Sequence, residues 1–567
     1  MTWLLNDDPD FEVLPDNRND DDSEEEDEVI TFSDHDSDSE QEYESDECEN
    51  NDPSISNQFY IGRDKSSKWN KSCKSTNSRT KKKNIVKIFP GPKSVARGVR
   101  DELTAFSKFM TIDMIDEIVK FTNFYIGNKR ATVNYERERD AKDTTRDEVL
   151  ALLGLLYLIG VKKANHTNVT ELWTTDGSGM EITRAIMSYK RFLFLLRCVR
   201  FDDKSTRRER QATDKLAAIR SVFDEFVGNC KNSYSLSEFV TVDEKLQSFR
   251  GGCSFIQYIP NKPAKYGLKL FVLTDAKTFF TSNMEIYCGK QPEGPYAVSN
   301  SPSDIVSRLV THIEGSNRNV TMDNWYTSHP LAIRLLEKNL TCIGTIRKNK
   351  REIPPEFLPK KDRAPSTSLF GYQKDLTLVS FVPKKNKAVI LLSTMHNSGI
   401  INEETNKPEI IEDYNATKGG VDTVDQMCGS YTVARITRRW PLAVFFALMD
   451  IAGINAQIIY CANESNPKNP RRIFLKNLSY AMMKSHLTQR AKISNLPCDI
   501  SAFLRRYQET QRPVEEPPTK KSGRCVICGR SKNINTTVRC DSCHSFICKK
   551  HMNITKICER CNTEENQ

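Results

Sequence analysis

Three aspartates stand where carboxylates can assist phosphoryl transfer. Asp243 ends a strand-like run in T-V-D-E, and Asp323 ends another in T-M-D-N-W-Y. Asp422 follows a glycine pair in K-G-G-V-D-T-V-D, with Asp425 three residues later. Carboxylates at the ends of neighbouring strands, with a third on a packed helix, can hold two divalent metals about 4 Å apart. The pattern favours two Mg²⁺ ions on Asp243, Asp323 and Asp422, because Mg²⁺ prefers oxygen ligands. An aspartate after a strand is also a common turn or helix cap, and that interpretation stays open.

A second group of chemically competent residues crowds the C-terminal region. Seven of the 17 cysteines fall between residues 525 and 561, in short pairs that include one histidine. The pairs predict two tetrahedral Zn²⁺ sites, with these ligands: Cys525, Cys528, Cys540, Cys543, Cys548, His551, Cys558 and Cys561. Free thiols are the alternative. We favour crossed wiring, in which the first and third pairs share one zinc, because a short segment without an apolar core must be tied together by its metals.

The aspartates need a rigid scaffold, and strands alternate with helices around them. This alternation predicts an α/β core. The expected strands are Phe239–Val242, Leu268–Thr274, Asn283–Tyr287, Asn319–Met322 and Leu340–Thr345. Helices are expected after Ser301 and Ser328, which precede helical segments as N-caps. A hairpin, Leu376–Val382 with Ala388–Thr394, predicts an inserted β subdomain.

Helical segments flank the core on both sides. Thr145 to Glu148 fits a capping box that opens the apolar run Val149–Val161. The apolar stretch Pro441–Tyr460 is interrupted by polar residues and predicts a buried helix, so we expect no membrane span. The start of the chain does not resemble a signal peptide.

Charge is distributed very unevenly along the chain. Residues 1–52 contain 23 Asp and Glu against one Arg, a net charge of −22, whereas residues 53–567 carry +30. Such a basic body predicts an anionic partner, either nucleic acid or the acidic segment itself. A merely basic soluble protein is the alternative. Lys81, Lys82 and Lys83 form a small basic cluster that favours a nuclear location or DNA contact.

Basic and aromatic residues near the aspartates are candidate DNA contacts. The candidate phosphate clamps are Lys262, Lys265, Lys269, Arg347, Lys348, Lys350 and Arg351. A solvated charge run is the competing interpretation. Trp325 and Trp440 could stack on unpaired bases. Core packing is the alternative for both.

Several longer motifs resemble the piggyBac transposase family. They lie between Phe239 and Tyr460 and comprise Y-I-P-N-K-P at 258–263, M-E-I-Y-C-G at 284–289, D-N-W at 323–325, G-T-I-R-K-N-K-R-E-I-P at 344–354, Y-N-A-T-K-G-G-V-D-T-V-D-Q-M-C at 414–428 and R-R-W-P at 438–441. The resemblance implies an RNase H-like catalytic core split by an insertion, with a helical DNA-binding and dimerisation domain made from both flanks.

The same resemblance implies roles for individual residues. Asp243, Asp323 and Asp422 match the catalytic carboxylates, and Asp425 matches a further acidic position. The implied activity is cut-and-paste transposition of double-stranded DNA, with hairpin ends, insertion at TTAA and a homodimer acting in the nucleus. The alternative is a domesticated DNA-binding protein, or a reader or ubiquitin ligase-type protein built on the cross-brace order of the cysteine tail.

These observations predict a chain of nine segments. They are an acidic disordered tail (1–60), a basic linker (61–100), a helical domain (101–236 and 433–510), a catalytic core (237–348 and 413–432), an insertion (349–412), a second linker (511–524) and a zinc-binding domain (525–561).

Overall fold

The structure, a computed structural model, describes most of the chain between residues 58 and 511 and parts of the C-terminal region. The described ranges are 31–32, 58–73, 82–132, 138–260, 262–463, 469–511, 522–528, 532, 534–539 and 545–551. The chain divides into two compact units, residues 1–492 and 493–567.

One large sheet organises the first unit. Among the described residues it has 12 strands, in the order β1-β7-β8-β6-β10-β11-β14-β13-β12-β3-β2, with β9 paired to β8. The strands of the first unit are β1 (Thr31–Phe32), β2 (Phe59–Ile61), β3 (Lys68–Asn70), β4 (Gly91–Pro92), β5 (Tyr234–Ser235), β6 (Phe239–Ser248), β7 (Gln257–Tyr258), β8 (Tyr266–Asp275), β9 (Thr281–Ile286), β10 (Asn319–Met322), β11 (Thr341–Thr345), β12 (Ser368–Tyr372), β13 (Thr377–Lys384) and β14 (Lys387–Ser393). The short pair β4–β5 forms a separate sheet.

The centre of the sheet is mixed in direction. β6, β10 and β11 are mutually parallel, whereas β8 runs antiparallel to β6 and β9 antiparallel to β8. The sequence prediction ended the first strand at Val242, but β6 continues to Ser248. It continues because β8 pairs with it along its whole length, out to Gly267. Asp243 therefore lies in the middle of β6, level with the point at which its other neighbour, β10, ends.

The predicted insertion extends the central sheet instead of forming a separate one. The expected hairpin is present as β13–β14, and β14 pairs antiparallel with β11. The hairpin β2–β3 then adds to the far side through β12. Residues 61–100 were expected to be a linker, yet Trp69 in β3 is only 1% exposed. Burial of this large aromatic side chain, together with the pairing of β3 with β12, holds the hairpin to the sheet.

Helices make up the rest of the first unit. They are α1 (Glu102–Phe106), α2 (Ile112–Thr132), α3 (Arg146–Val161), α4 (Val169–Leu172), α5 (Glu181–Ile186), α6 (Tyr189–Cys198), α7 (Arg207–Gln211), α8 (Arg220–Ser233), α9 (Pro302–Val310), α10 (His329–Glu337), α11 (Glu409–Thr417), α12 (Gly420–Ser430), α13 (Trp440–Asn463) and α14 (Arg471–Arg490). The predicted caps are present: Thr145, Ser301 and Ser328 each accept a hydrogen bond from a backbone N–H in the first turn of the following helix.

α13 is the central helix of the helical region. In the described part of the chain it alone is long and apolar enough to cross a membrane, and 89% of its apolar window is buried inside the protein. It contacts α1, α8, α12 and α14 as well as β6. These contacts are typical of a core helix, which is the prediction made from its interrupting polar residues.

The second unit contains α15 (Cys498–Gln511) and a small hairpin, β15 (Gly523–Arg524) with β16 (Asn535–Thr536). A backbone bridge between Arg539 and Phe546 continues this structure, and the Arg539 guanidinium lies over the Phe546 ring. The segment predicted as a linker, 511–524, falls mostly outside the described residues.

Candidate active site

The register of three strands brings two of the predicted carboxylates side by side. Val242 of β6 is paired with Met322 of β10, so Asp243 and Asp323 occupy the next position on neighbouring parallel strands. Side chains alternate along a strand, so Thr241, Asp243 and Lys245 of β6 share one face of the sheet. That face is covered by α12, which carries Asp422 and Asp425.

The glycine pair before Asp422 allows α12 to approach the sheet closely. A Cβ on Gly420 would lie 2.4 Å from the Thr241 hydroxyl and 2.8 Å from the Thr274 hydroxyl, too close for any side chain. The Thr241 hydroxyl also donates to the Thr417 carbonyl at 2.6 Å, just before the helix begins. The start of α12 is thus fixed two residues from Asp422.

Electrostatic crowding marks the same place. Burial raises the pKa of Asp243 well above its ordinary value, and the neighbouring carboxylates Glu244 and Asp323 raise it further. The Lys262 ammonium lies 3.2 Å from Asp422 Oδ1 and donates to the Glu244 carbonyl. Burial lowers the pKa of Lys262, but Asp243 and Asp422 together raise it above the usual value. One lysine therefore lies among the carboxylates of β6 and α12.

Asp323 also has the structural role that its sequence position allowed. Its Oδ1 accepts a hydrogen bond from the Trp325 backbone N–H at 2.9 Å, and its carbonyl accepts from the Thr327 hydroxyl. Asp323 can cap the turn and also belong to the candidate site. The cap engages Oδ1 alone, and it fixes the orientation of the side chain beside Asp243.

The buried side chain of Lys269 packs against the half-buried ring of Trp325. The Lys269 ammonium lies 3.8 Å from Glu244 and 5.0 Å from the centre of the Trp325 ring, and the residue is only 4% exposed. Burial lowers the pKa of this lysine. Trp325 in turn stacks on Phe271. Both residues support the strands from the side opposite Asp243, so the structure does not offer Lys269 as a surface phosphate clamp.

Trp440 was predicted to face DNA, and the structure buries it. It is 5% exposed and packs edge-on against Phe255, with ring centroids 5.1 Å apart. A large aromatic at the first position of the most apolar helix contributes more as core than as a stacking platform.

Asp425 makes an ion pair with a buried lysine. The Lys245 ammonium donates to Asp425 Oδ1, and Lys245 is 3% exposed. This contact joins β6 to the second turn of α12. Asp425 remains predicted as a further acidic residue of the site, and its observed partner is Lys245.

Tyr414 is a neighbour of the site that the sequence analysis did not single out. Its hydroxyl lies 3.4 Å from the Thr345 hydroxyl at the end of β11. Burial raises the pKa of Tyr414 to about 12, and Asp323 and Asp243 contribute to the increase. The signal was present in the string Y-N-A-T-K-G-G, where Tyr414 precedes the glycine pair.

The remaining predicted DNA contacts lie on loops. Lys265 is exposed in the turn between β7 and β8. Arg347, Lys348, Lys350 and Arg351 follow directly on β11, which ends beside β10. Gly344 pairs with Met322, so this basic loop begins at the same edge of the sheet as Asp323.

Half of the predicted metal ligands of the tail converge. Ligand atoms of Cys525, Cys528, Cys548 and His551 all lie within 4.8 Å of one another. Separations of 3.4–3.7 Å between Cys528 or Cys525 Sγ and His551 Nδ1 match the ligand spacing of roughly 3.5–3.8 Å around a tetrahedral Zn²⁺. This is the grouping of crossed wiring. The other four predicted ligands, Cys540, Cys543, Cys558 and Cys561, lie outside the described residues.

Comparison with known proteins points the same way. A family model described as Transposase IS4 matches residues 101–457. The human PiggyBac transposable element-derived protein 3 is 21% identical over 486 residues, which cover 80% of this chain and 72% of that protein. The human chimeric ERCC6-PGBD3 protein is also 21% identical, over 40% of its own length. The cryo-EM structure of a piggyBac transposase synaptic complex with hairpin DNA matches at a TM-score of 0.70 and 36% identity, covering 83% of this chain and 100% of that one. With a family model spanning more than half of its length and a solved relative at this identity, the chain belongs to the piggyBac transposase family.

Proposed function

We propose that this chain is a DNA transposase that cuts and rejoins DNA ends by metal-dependent phosphoryl transfer. The observation that carries the proposal is the adjacent register of Asp243 and Asp323, with Asp422 delivered to the same face by α12. The solved structure that it matches is a synaptic complex with hairpin DNA. We extend hairpin ends, TTAA insertion and action as a homodimer in the nucleus to this chain as parts of the same proposal.

The strand order supports an RNase H-like core. The five central strands run β9-β8-β6-β10-β11, in which β9, β8 and β6 pair antiparallel and β10 and β11 are parallel to β6. The resemblance found in the sequence implies this class of fold. Asp323 follows the C-terminal end of β10, and Asp243 lies beside it on the parallel strand β6, at the edge where ligands bind in open α/β sheets.

The residues around the site fit two divalent cations. Asp243, Asp323 and Asp422 would hold them, since hard oxygen ligands suit Mg²⁺. Burial raises the pKa of Asp243 most, and the neighbouring carboxylates Glu244 and Asp323 add to the increase; bound cations would relieve both effects. Such cations, when bound, activate an attacking oxygen and stabilise a leaving oxygen.

The basic residues would handle the DNA backbone. Lys262 lies among the carboxylates, and its ammonium group would bind a DNA phosphate that enters the site. Arg347, Lys348, Lys350 and Arg351 would bind the flanking phosphates electrostatically from the edge of the sheet. Asp323, held by the turn N–H groups, keeps one orientation while substrate enters and leaves.

The tail adds a second contact in this proposal. Cys525, Cys528, Cys548 and His551 would hold one Zn²⁺, and we assign the second to the four cysteines predicted from the sequence. A folded zinc module would then bind DNA of the element's ends. A chain that keeps this binding and lacks cleavage would instead be a domesticated DNA-binding protein.

The test compares substitutions in the carboxylates with a matched acidic control. Asp243→Asn, Asp323→Asn and Asp422→Asn should each lower Mg²⁺-dependent cleavage of DNA that carries the gene's own flanking sequences by at least about a hundredfold. Glu314→Gln removes a surface carboxylate paired with Lys338 and should leave cleavage unchanged. Binding measured by gel shift should survive in all four variants. Full cleavage by the Asp243→Asn protein would refute the proposal.

A further inference from the structure

A hairpin near the N-terminus forms hydrogen bonds with the backbone of the basic loop, residues 347–353. The hairpin consists of β2, β3 and the turn between them, and it lies before residue 101, where the family match begins. The Arg63 guanidinium donates to the carbonyls of Lys348 and, at 2.8 Å, of Lys350. The Trp69 indole N–H donates to the Glu352 carbonyl at 2.9 Å. Two backbone bonds complete the contact, Asp64 N–H to the Arg351 carbonyl and Arg63 N–H to the Ile353 carbonyl.

All of these bonds go to main-chain carbonyls, so they fix the course of the loop and leave its side chains available. In the parts of the chain that the structure describes, no ion pair or side-chain hydrogen bond engages the four cations of the loop: Arg347, Lys348, Lys350 and Arg351. A loop with pinned carbonyls and unneutralised side chains presents a fixed array of positive charge.

The hairpin is itself rigid. The Asp64 carboxylate accepts hydrogen bonds from the backbone of Ser66 and Ser67 and from the Ser67 hydroxyl. Burial raises the pKa of Asp64, but these bonds outweigh it and lower the pKa to about 2. A Cβ on Gly62 would lie 2.9 Å from the Glu352 carbonyl, so this contact needs a glycine.

We propose that this hairpin is a brace that holds the basic loop in the conformation that meets DNA phosphates, with Arg63 as a positioning residue. The proposal rests on the function proposed above, because it takes the DNA backbone as the partner of the loop. It adds an N-terminal element to the DNA-handling surface, although that element contributes no side chain to the carboxylate site.

The first measurement needs no DNA. The loop offers several adjacent trypsin sites, and cleavage there requires local opening of the backbone. Arg63→Gln should raise the rate of tryptic cleavage within residues 347–351 about tenfold. Lys68→Gln is the matched control, because Lys68 is an exposed cation on the same hairpin without a bond to the loop carbonyls. It should cleave like the wild type. An unchanged melting temperature would show that Arg63→Gln leaves the rest of the chain folded.

The second measurement is binding of the full chain to a mixed-sequence duplex with a central TTAA. Arg63→Gln should weaken binding about tenfold, and Lys68→Gln by much less. A Lys348→Gln/Lys350→Gln protein should also bind weakly, and adding Arg63→Gln to it should cost clearly less than it costs the wild type, because Arg63 acts through loop cations of which only Arg347 and Arg351 remain. Arg63→Lys keeps the positive charge but not the donor geometry of the guanidinium. Its tryptic cleavage rate and its DNA affinity should both lie between those of the wild type and those of Arg63→Gln.

The outcomes separate the brace from the function. Equal tryptic rates for the wild type and Arg63→Gln would overturn the brace. Additive losses in the triple variant, with full rescue by Arg63→Lys, would overturn it in favour of direct phosphate contact. A wild-type protein that binds no duplex would refute the proposed function, while the tryptic comparison would still decide whether the hairpin braces the loop.

Discussion

Asp450 is a buried carboxylate that lies outside the candidate site and has a role in the fold. It lies inside α13, 8% exposed, and accepts hydrogen bonds from the Val433 backbone N–H and the Thr432 hydroxyl. These bonds fix the chain directly after α12. Burial raises the pKa of Asp450 to about 7, although the two hydrogen bonds partly oppose the shift. The residue that interrupts the apolar pattern therefore anchors the helix that carries Asp422.

This shift predicts a pH dependence of stability. The folded pKa of about 7 exceeds the ordinary aspartate value of 3.8, so the folded chain keeps a proton that the unfolded chain releases. The stability contribution is complete below pH 4 and is lost as pH rises to 7, about 4 kcal/mol at roughly 1.4 kcal/mol per unit. Asp450→Asn, which keeps the shape without the charge, should abolish that part of the pH dependence.

The measurement is urea unfolding of both proteins between pH 5 and pH 8. The advantage of Asp450→Asn over the wild type should grow with pH up to about 7 and then level off. A constant difference across the range would mean that Asp450 is already ionised at pH 5 in the folded protein, so that burial does not raise its pKa.

At the scale of elements, the approach of α12 to β6 depends on one glycine. Gly420→Ala places a methyl group 2.4 Å from the Thr241 hydroxyl, so the helix must move away from the strand. Overpacking of this kind costs about 1–3 kcal/mol, and a displacement near 1 Å at a catalytic group can cost about a hundredfold in rate. We expect Gly420→Ala to lower DNA cleavage at least about tenfold, measured with the same flanking-sequence substrate.

The neighbouring glycine provides the control. Gly419 has φ −83°, and no atom lies within 4 Å of the position that a Cβ would take, so alanine fits there. Gly419→Ala should cleave DNA like the wild type. Equal activity in both variants would show that the close contact at Gly420 does not position Asp422.

Elements formed by local signals were predictable, and elements formed by distant contacts were not. The strand Asn319–Met322 was predicted correctly from its own sequence. Its four residues are apolar, β-branched or short and polar, and an aspartate follows them. The second half of β6 was not predicted because Glu244 and Lys245 are charged. Each is buried next to an oppositely charged partner from another part of the sequence, Lys269 for Glu244 and Asp425 for Lys245.

The site shows the same division. The candidate carboxylates were chosen from motifs and expected strand ends, although β6 continues past Asp243, and the proximity of Asp243 to Asp323 follows from a register that no single segment encodes. The sequence left base stacking and core packing open for Trp440, because a tryptophan between arginine and proline has the same local pattern whether it is exposed or packed on Phe255.

Over the whole molecule, charge is segregated between an acidic N-terminal region and a basic body. Deleting residues 1–57 removes a net charge of −22 and keeps the hairpin intact. We expect this deletion to raise affinity for non-specific duplex DNA at low salt, because the acidic region competes for the basic surface. The gain should shrink as salt rises, since exposed charges are screened beyond about 10 Å at 0.1 M.

Fluorescence anisotropy over a salt series would measure this effect. A full-length variant with every Asp and Glu of residues 1–52 changed to Asn or Gln should match the deletion, because charge and not length is the cause. Affinities that stay equal for the wild type and the deletion at low salt would contradict the prediction.

The grip of Arg63 on Lys348 spans 285 residues of sequence. A ribosome adds about 5–20 residues per second, so the N-terminal hairpin waits roughly 15–60 s after synthesis before its partner loop exists. During that interval Trp69 has no loop carbonyl to bind and β3 has no β12 to pair with, and the strongly acidic stretch that precedes them in the sequence is already made. The negative charge that we expect to lower DNA affinity in the finished protein would also keep the nascent chain soluble while its first strands lack a sheet to join.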